Sequence, residues 1–313
     1  MNGSQVAFLF PGQGSQSVGM LGGFAGLAAV DDTMAQASEA LGQDLVRLIA
    51  DGPIEALALT VNTQPVMLSS AVAAYRAYLA QGGQAPQYMA GHSLGEYAAL
   101  TAAGVFDLSD AVRAVRFRAQ QMQDAVPVGQ GTMAAVMGLA ADAVVEVCER
   151  LSAPTAVVEA VNFNAPDQTV IAGHTAAIEQ ACLAMKEAGA KRAIVLPVSA
   201  PFHSSLLAPA ARALRTYLAD VKLGPPTARV IHNVDLSTAA DAAGIREALS
   251  MQAMRPVRWV ETIELFAAQG VTHVVECGPG KVLAGLVKRI SPDLQVLNIS
   301  DRDSLHATLE ALA

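Results

Sequence analysis

The chain predicts an α/β protein: a mostly parallel sheet flanked by helices, with a smaller β-α-β-β-α-β unit inserted into it. Three observations carry that prediction. Short apolar runs alternate with longer helical patterns, which is the signature of βα repetition. The middle of the chain breaks that alternation with a ferredoxin-like order of elements. Of the 313 residues, 52% are hydrophobic and only 15% charged, enough apolar surface for one large core and too little charge for a disordered chain. With aromatics at 4%, the apolar content rests on Ala, Val and Leu, which suits helices packed closely on a sheet.

The expected strands of the large unit are 6–10, 87–90, 229–232, 273–276 and 295–299, and its expected helices include 64–79, 109–126, 204–218, 259–268 and 281–290. Between them, strands are expected at 133–138, 155–161, 168–173 and 193–198, with helices at 142–151 and 175–188. Pro127 to Gly131 precedes this set and Pro197 and Pro201 follow it, which is where a chain would leave and re-enter a larger body. The division is therefore 1–127 with 199–313 for the large unit and 128–198 for the insertion.

Net charge is −8 at pH 7, which argues against a general nucleic-acid binder. Cys148, Cys182 and Cys277 lie far apart with no CxxC spacing, as buried thiols of a reducing compartment would; no metal site is expected. The first ten residues lack the basic start of a signal peptide, and no apolar run is long enough to span a bilayer. The expectation is a soluble, cytoplasmic chain that binds neither membrane nor nucleic acid.

Gly91-His92-Ser93-Leu94-Gly95 is a GxSxG sequence between a short strand and a run of good helix formers that starts at Glu96. That is the context of a nucleophile elbow. Ser93 would sit on a strained turn, and side chains at positions 91 and 95 would collide there. The N–H of Leu94, at a helix start, is a candidate oxyanion donor. Six histidines could serve as base. His92 should project away from its neighbour, His174 and His306 read as surface residues, and His232 and His273 sit on core strands. His203 is left, in a Pro-containing loop just before a helix. No acid declares itself as a third member: Asp107, Asp110 and Asp167 qualify only by order, and a main-chain carbonyl can orient an imidazole equally well.

The loop 10–16 fails as a dinucleotide fingerprint because Ser17 stands where glycine is needed, and Gly278-Pro279-Gly280-Lys281 fails as a phosphate loop. The first loop either brings the Gln13 N–H to the elbow or is an ordinary turn; the pattern alone leaves both open. On the helix at 109–126, Val112, Val115, Ala119 and Met122 form an apolar stripe with Arg118 on its flank. There an arginine either snorkels outward or meets an anion, which makes Arg118 the helix's candidate for gripping a carboxylate.

Together these pieces resemble the malonyl-CoA:acyl-carrier-protein transacylases, the malonyltransferases of type II fatty-acid synthesis. The resemblance runs along FPGQGSQ at 10–16, TQP at 63–65, GHSLGEYAAL at 91–100, VNFN at 161–164, PVSAPFHSSL at 197–206, HNVD at 232–235, Gln252 before PVRW at 256–259, and ECGPGKVL at 276–283. It implies an α/β-hydrolase-like large subdomain with a ferredoxin-like insertion. It also implies Ser93 as acylated nucleophile, His203 as base, Gln13 and Leu94 as oxyanion donors, and Arg118 on the malonyl carboxylate. The Gln252 carbonyl would orient His203 in place of an aspartate. Gln64, Asn162, Asn233, Gln252 and Phe202 fall among the implied substrate-binding residues. Phe202 resembles the Phe-His pair of acyltransferases that prefer malonyl to methylmalonyl groups, although Ala200-Pro201 departs from that signature. The implied donor is malonyl-CoA and the acceptor the phosphopantetheine thiol of an acidic acyl carrier protein, with no bound cofactor and a monomeric enzyme. Lys191, Arg192, Lys281, Lys288 and Arg289 are candidates for a local basic docking patch on an otherwise acidic protein. Competing readings are a serine esterase or thioesterase, a malonyltransferase of polyketide synthesis or malonate decarboxylation, and a carrier-binding scaffold with a decayed site.

Overall fold

The computed structural model describes residues 5–313. Its strands are β1 Gln5–Phe10, β2 Tyr88–Gly91, β3 Gly131–Met137, β4 Val158–Ala165, β5 Gln168–His174, β6 Arg192–Val195, β7 Arg229–Ile231, β8 Val271–Cys277 and β9 Gln295–Ile299. The helices are α1 Ala28–Leu41, α2 Leu45–Asp51, α3 Ile54–Ala58, α4 Thr60–Ala80, α5 Leu94–Ala102, α6 Leu108–Asp124, α7 Ala141–Leu151, α8 Thr175–Glu187, α9 Ala208–Ala219, α10 Ala242–Gln252, α11 Trp259–Ala268, α12 Val282–Ile290 and α13 Arg302–Leu312.

Five strands form a parallel sheet in the order β7-β2-β1-β8-β9. Both of its faces are covered, so its central strands need apolar residues at every position. In β1, Phe8 and Phe10 enter the core beneath α4, α5 and α6, whereas Ala7 and Leu9 enter the one beneath α11 and α12, with Trp259, Ile263 and Phe266. The other four strands form a separate antiparallel sheet, β4-β5-β3-β6. In chain order that is second, third, first, fourth, the ferredoxin-like arrangement, and α7 and α8 supply its core through Val144, Val147, Ile178 and Met185. A fourth cluster joins the two bodies: Met122 of α6 and Leu214 of α9 pack with Met133, Val170 and Phe202.

Several boundaries differ from the sequence reading, each for a local reason. β4 begins at Val158 and runs through Asn162 and Asn164 to Ala165, later than the expected 155–161. Its register shifts around Asn162 and Ala165, and Asn162 also bridges to Val257, so polar residues beyond the expected strand end belong to an irregular strand. α4 starts at Thr60 rather than 64 and carries Pro65 inside it. The stretch at 204–218 opens with a short 3-10 turn at Ser205–Leu207 before α9. The helices α1 to α3 and α10 add to those expected. His273 is half-buried rather than in the core. Among the described residues no helix is long and apolar enough to cross a membrane.

Candidate active site

β2 delivers Ser93 to the carboxyl ends of the parallel strands, where open α/β sheets bind ligands. The turn is as tight as the glycines suggest. A Cβ at Gly91 would lie 1.8 Å from the carbonyl carbon of Gly95, and one at Gly95 would lie 2.0 Å from the carbonyl oxygen of Phe10. Ser93 itself holds φ 52° and ψ −109°, a conformation side chains rarely adopt. Asn233, just beyond β7, holds this turn from behind. Its Oδ1 accepts the Ser93 N–H at 2.8 Å and its NH2 donates to the Gly91 carbonyl at 2.8 Å.

The Ser93 hydroxyl lies 2.7 Å from His203 Nε2, while His203 Nδ1 donates to the Gln252 main-chain carbonyl at 2.8 Å. That second bond places the hydrogen on Nδ1 and leaves Nε2 as the acceptor facing Ser93. Burial, and then the Arg118 charge, push the imidazole down from its ordinary 6.5 to about 3, so it stands neutral with Nε2 unprotonated.

Arg118 does not snorkel. It is 1% exposed, and its guanidinium donates to Gln64 Oε1 at 2.9 Å, Gln252 Oε1 at 2.7 Å and Ser93 Oγ at 3.1 Å. It also lies 5.5 Å from the centre of the Tyr97 ring. Its Nε has no hydrogen-bond partner, and no carboxylate among the described residues forms an ion pair with it. Burial accordingly lowers its pKa. A buried cation without a paired anion is costly, and it is poised to receive one.

A cavity of about 220 Å³ opens onto these groups. Gln13, Leu94, Gln64, Asn162, Phe202 and Arg118 all line it with the Ser93–His203 pair. The first loop is pressed onto the elbow: a Cβ at Gly12 would lie 2.5 Å from the His92 carbonyl oxygen. Leu94 opens α5, where an N–H has no carbonyl one turn earlier in the helix to bind. Asn233 and Gln252 do not line the cavity, so their place is behind the reacting atoms rather than against a substrate. His92 lines it as well; its ring bonds Asn164 Oδ1 at 2.7 Å and meets Trp259 edge-on. A larger recess, about 1180 Å³, lies around Tyr88, Thr227 and Leu312 at the opposite strand ends, and its described lining holds no nucleophile–base pair.

The five basic candidates for docking are all exposed and lie outside the cavity lining. Arg289 is bonded to Asp167 and Gln168, which leaves Lys191, Arg192, Lys281 and Lys288 outside any ion pair among the described residues.

Sequence reasoning missed Glu96 and His232 as a unit. Glu96 is fully buried and accepts from His232 Nδ1 at 2.8 Å, the Asn233 N–H at 3.0 Å and Gln252 Nε2 at 2.8 Å. Against the effect of burial, Glu96 raises the pKa of His232. The available signal was a lone acid in the otherwise apolar run LGEYAALTA.

A serine hydroxyl within reach of a neutral histidine, with a buried guanidinium beside it, is an arrangement suited to acyl transfer, and the chain matches the family described as "Acyl transferase domain" over residues 7–300. It is 50% identical to the malonyl CoA-acyl carrier protein transacylase of Escherichia coli K12, across 98% of this chain and 99% of that one. The crystal structure of an acyl-carrier-protein S-malonyltransferase from Burkholderia pseudomallei 1710b is 58% identical, with a TM-score of 0.96 over 98% of this chain and 99% of that chain. A malonyl-transacylase in complex with its type II PKS acyl-carrier protein is 46% identical, with a TM-score of 0.96 over 98% and 100%. The chain belongs to the malonyl CoA–acyl carrier protein transacylase family.

Proposed function

We infer that the protein moves a malonyl group from malonyl-CoA to the phosphopantetheine thiol of an acyl carrier protein, through an ester on Ser93, in fatty-acid biosynthesis. The observation that carries this reading is Arg118: a buried guanidinium with no carboxylate of its own, 3.1 Å from the hydroxyl to be acylated. A carboxylate two carbons from the ester carbonyl falls within its reach, and two parallel charge-assisted hydrogen bonds would hold it.

In the first half-reaction the Ser93 oxygen attacks the thioester carbonyl while His203 Nε2 takes the hydroxyl proton. The N–H groups of Gln13 and Leu94 receive the negative oxygen of the tetrahedral intermediate. The C–S bond then breaks, and the proton on His203 goes to the departing CoA sulfur. In the second half the carrier's thiol gives its proton to His203 and attacks the ester, and Ser93 leaves with that proton. The Gln252 carbonyl keeps the imidazole in one tautomer throughout. Phe202 and Asn162 wall the acyl pocket.

The separate antiparallel sheet supports an inserted unit at 128–198 within a large unit of 1–127 and 199–313. Lys191, Arg192, Lys281 and Lys288 are the groups free to meet an acidic carrier, and the complex known for a 46% identical transacylase supports a carrier as partner. The enzyme is taken to act as a cytoplasmic monomer. Intact mass after brief exposure to malonyl-CoA should show one malonyl adduct, absent in Ser93→Ala. Release of free malonate at the same rate with and without carrier would overturn transfer in favour of hydrolysis.

A further inference from the structure

Glu96 lies in the first turn of α5 and outside the cavity, yet its bonds lead to every reacting group. A glutamine amide has an oxygen on one side and an NH2 on the other, and its covalent structure prefers neither orientation. At Gln252 the two ends must be sorted, because Arg118 offers only donors and needs the oxygen. Glu96 Oε2 does the sorting by accepting the NH2 at 2.8 Å, and the same NH2 also reaches the Ser93 carbonyl at 2.9 Å. Gln252 is the last residue of α10, and its main-chain carbonyl receives the His203 Nδ1–H. The same Glu96 oxygen accepts the Asn233 N–H, and Asn233 in turn pins the strained turn at Ser93.

We propose that Glu96 is the positioning residue of this site: by fixing Gln252 and Asn233 it aligns Arg118, His203 and Ser93 with one another without touching substrate. An apolar side chain would fill this place at lower cost, since Tyr97, Ala98, Ala99 and Leu100 beside it are wholly buried. The carboxylate is kept for the geometry it imposes, with His232 holding its other oxygen at 2.8 Å.

The proposal rests on the malonyl-transfer reading, and two conservative variants separate reach from charge. Glu96→Gln keeps the length and one oxygen for Asn233 and Gln252, and turns its NH2 toward His232, which can accept after a tautomer change. Glu96→Asp keeps the charge but retracts by about 1.5 Å, so it cannot span from His232 to Gln252. The readout is the ratio of malonyl to acetyl loading rates on Ser93, measured by rapid quench and intact mass. The ratio should fall about tenfold or more in Glu96→Asp and severalfold less in Glu96→Gln. A wild-type ratio in both variants, or a fall in Glu96→Gln as large as in Glu96→Asp, overturns the proposal. Should Glu96→Asp not fold, the Gln252 side-chain NH2 in the wild-type nitrogen-15 spectrum decides. Exchange about a hundredfold slower than that of exposed glutamines supports the proposal, and exchange as fast as theirs overturns it. A wild-type protein that forms no malonyl adduct would sink the transfer reading itself, a different result from a reversed ranking of the variants.

Discussion

Replacing Arg118 by methionine removes the guanidinium while keeping a long apolar side chain in the 1%-exposed site. A hydrogen bond to a charged group is worth about 1.5–3 kcal/mol, and each 1.36 kcal/mol is a factor of ten. Malonyl loading should therefore fall by about one to two orders of magnitude. Acetyl-CoA offers no carboxylate and should lose far less. Arg118 also holds down the basicity of His203, so its removal makes the base stronger, which offsets the lost contact to Ser93 Oγ. Stability should change little. Gln64 and Gln252 each lose a donor, yet a buried cation without a paired anion disappears as well. The assay is single-turnover loading from malonyl-CoA and acetyl-CoA, followed by intact mass, with a thermal melt as control. An unchanged malonyl/acetyl ratio would refute the assignment. Equal losses for both donors would make Arg118 a support for the Ser93–His203 pair rather than a carboxylate clamp.

Because burial and Arg118 depress His203 to about 3, kcat/KM for acetyl-CoA loading should stay flat from pH 8 to below 5; an inflection near 6.5 would contradict the geometry. The same depression means that the folded protein binds this proton less readily than the unfolded chain. The stability tied to His203 is thus complete above about pH 6.5 and is lost as pH falls toward 3. Gly95→Ala should destabilise by about 1–3 kcal/mol or fail to fold, since its Cβ would lie 2.0 Å from the Phe10 carbonyl; a wild-type melting temperature would show that the elbow is not packed as described. Lys288→Glu should raise the apparent KM for the carrier severalfold with malonyl-CoA loading intact, and equal effects on both half-reactions would remove Lys288 from docking.

What the sequence revealed follows from the range of the interactions involved. The elbow was legible because its demands are local: a strand, two glycines that cannot carry a Cβ, and a helix start. The order of elements from β3 to β6 was legible from hydrophobic period alone, and so was the placing of Arg118 on the flank of the α6 stripe. The helix pattern could not decide between solvent and an anion, because the answer depends on Gln64 and Gln252, which are 54 and 134 residues away. Helices α1 to α3 escaped because 28–58 is divided into short pieces by Gly42, Gly52 and Pro53. Glu96 escaped because a glutamate on a helix ordinarily faces water, and only the arrival of His232, Asn233 and Gln252 makes it a buried acceptor.

The missing acid of the catalytic group has a physical reason that no single segment contains. One residue, Gln252, presents its main-chain oxygen to His203 at 2.8 Å and its side-chain oxygen to Arg118 at 2.7 Å. Whatever orients the imidazole is therefore a neighbour of the guanidinium. An aspartate in that place would pair with Arg118 and satisfy the charge that, in the proposed reaction, the substrate carboxylate satisfies. It would also hold His203 toward its protonated form, against the depression that burial and Arg118 produce. A neutral carbonyl fixes the tautomer and does neither. The Glu96 carboxylate is joined to Arg118 by hydrogen bonds through Gln252 rather than by a direct one, so the guanidinium stays buried beside the serine and without an ion-pair partner among the described residues. In the proposed reaction, selectivity for a diacid half-ester and the use of a carbonyl in place of an acid are thus one arrangement seen from two sides.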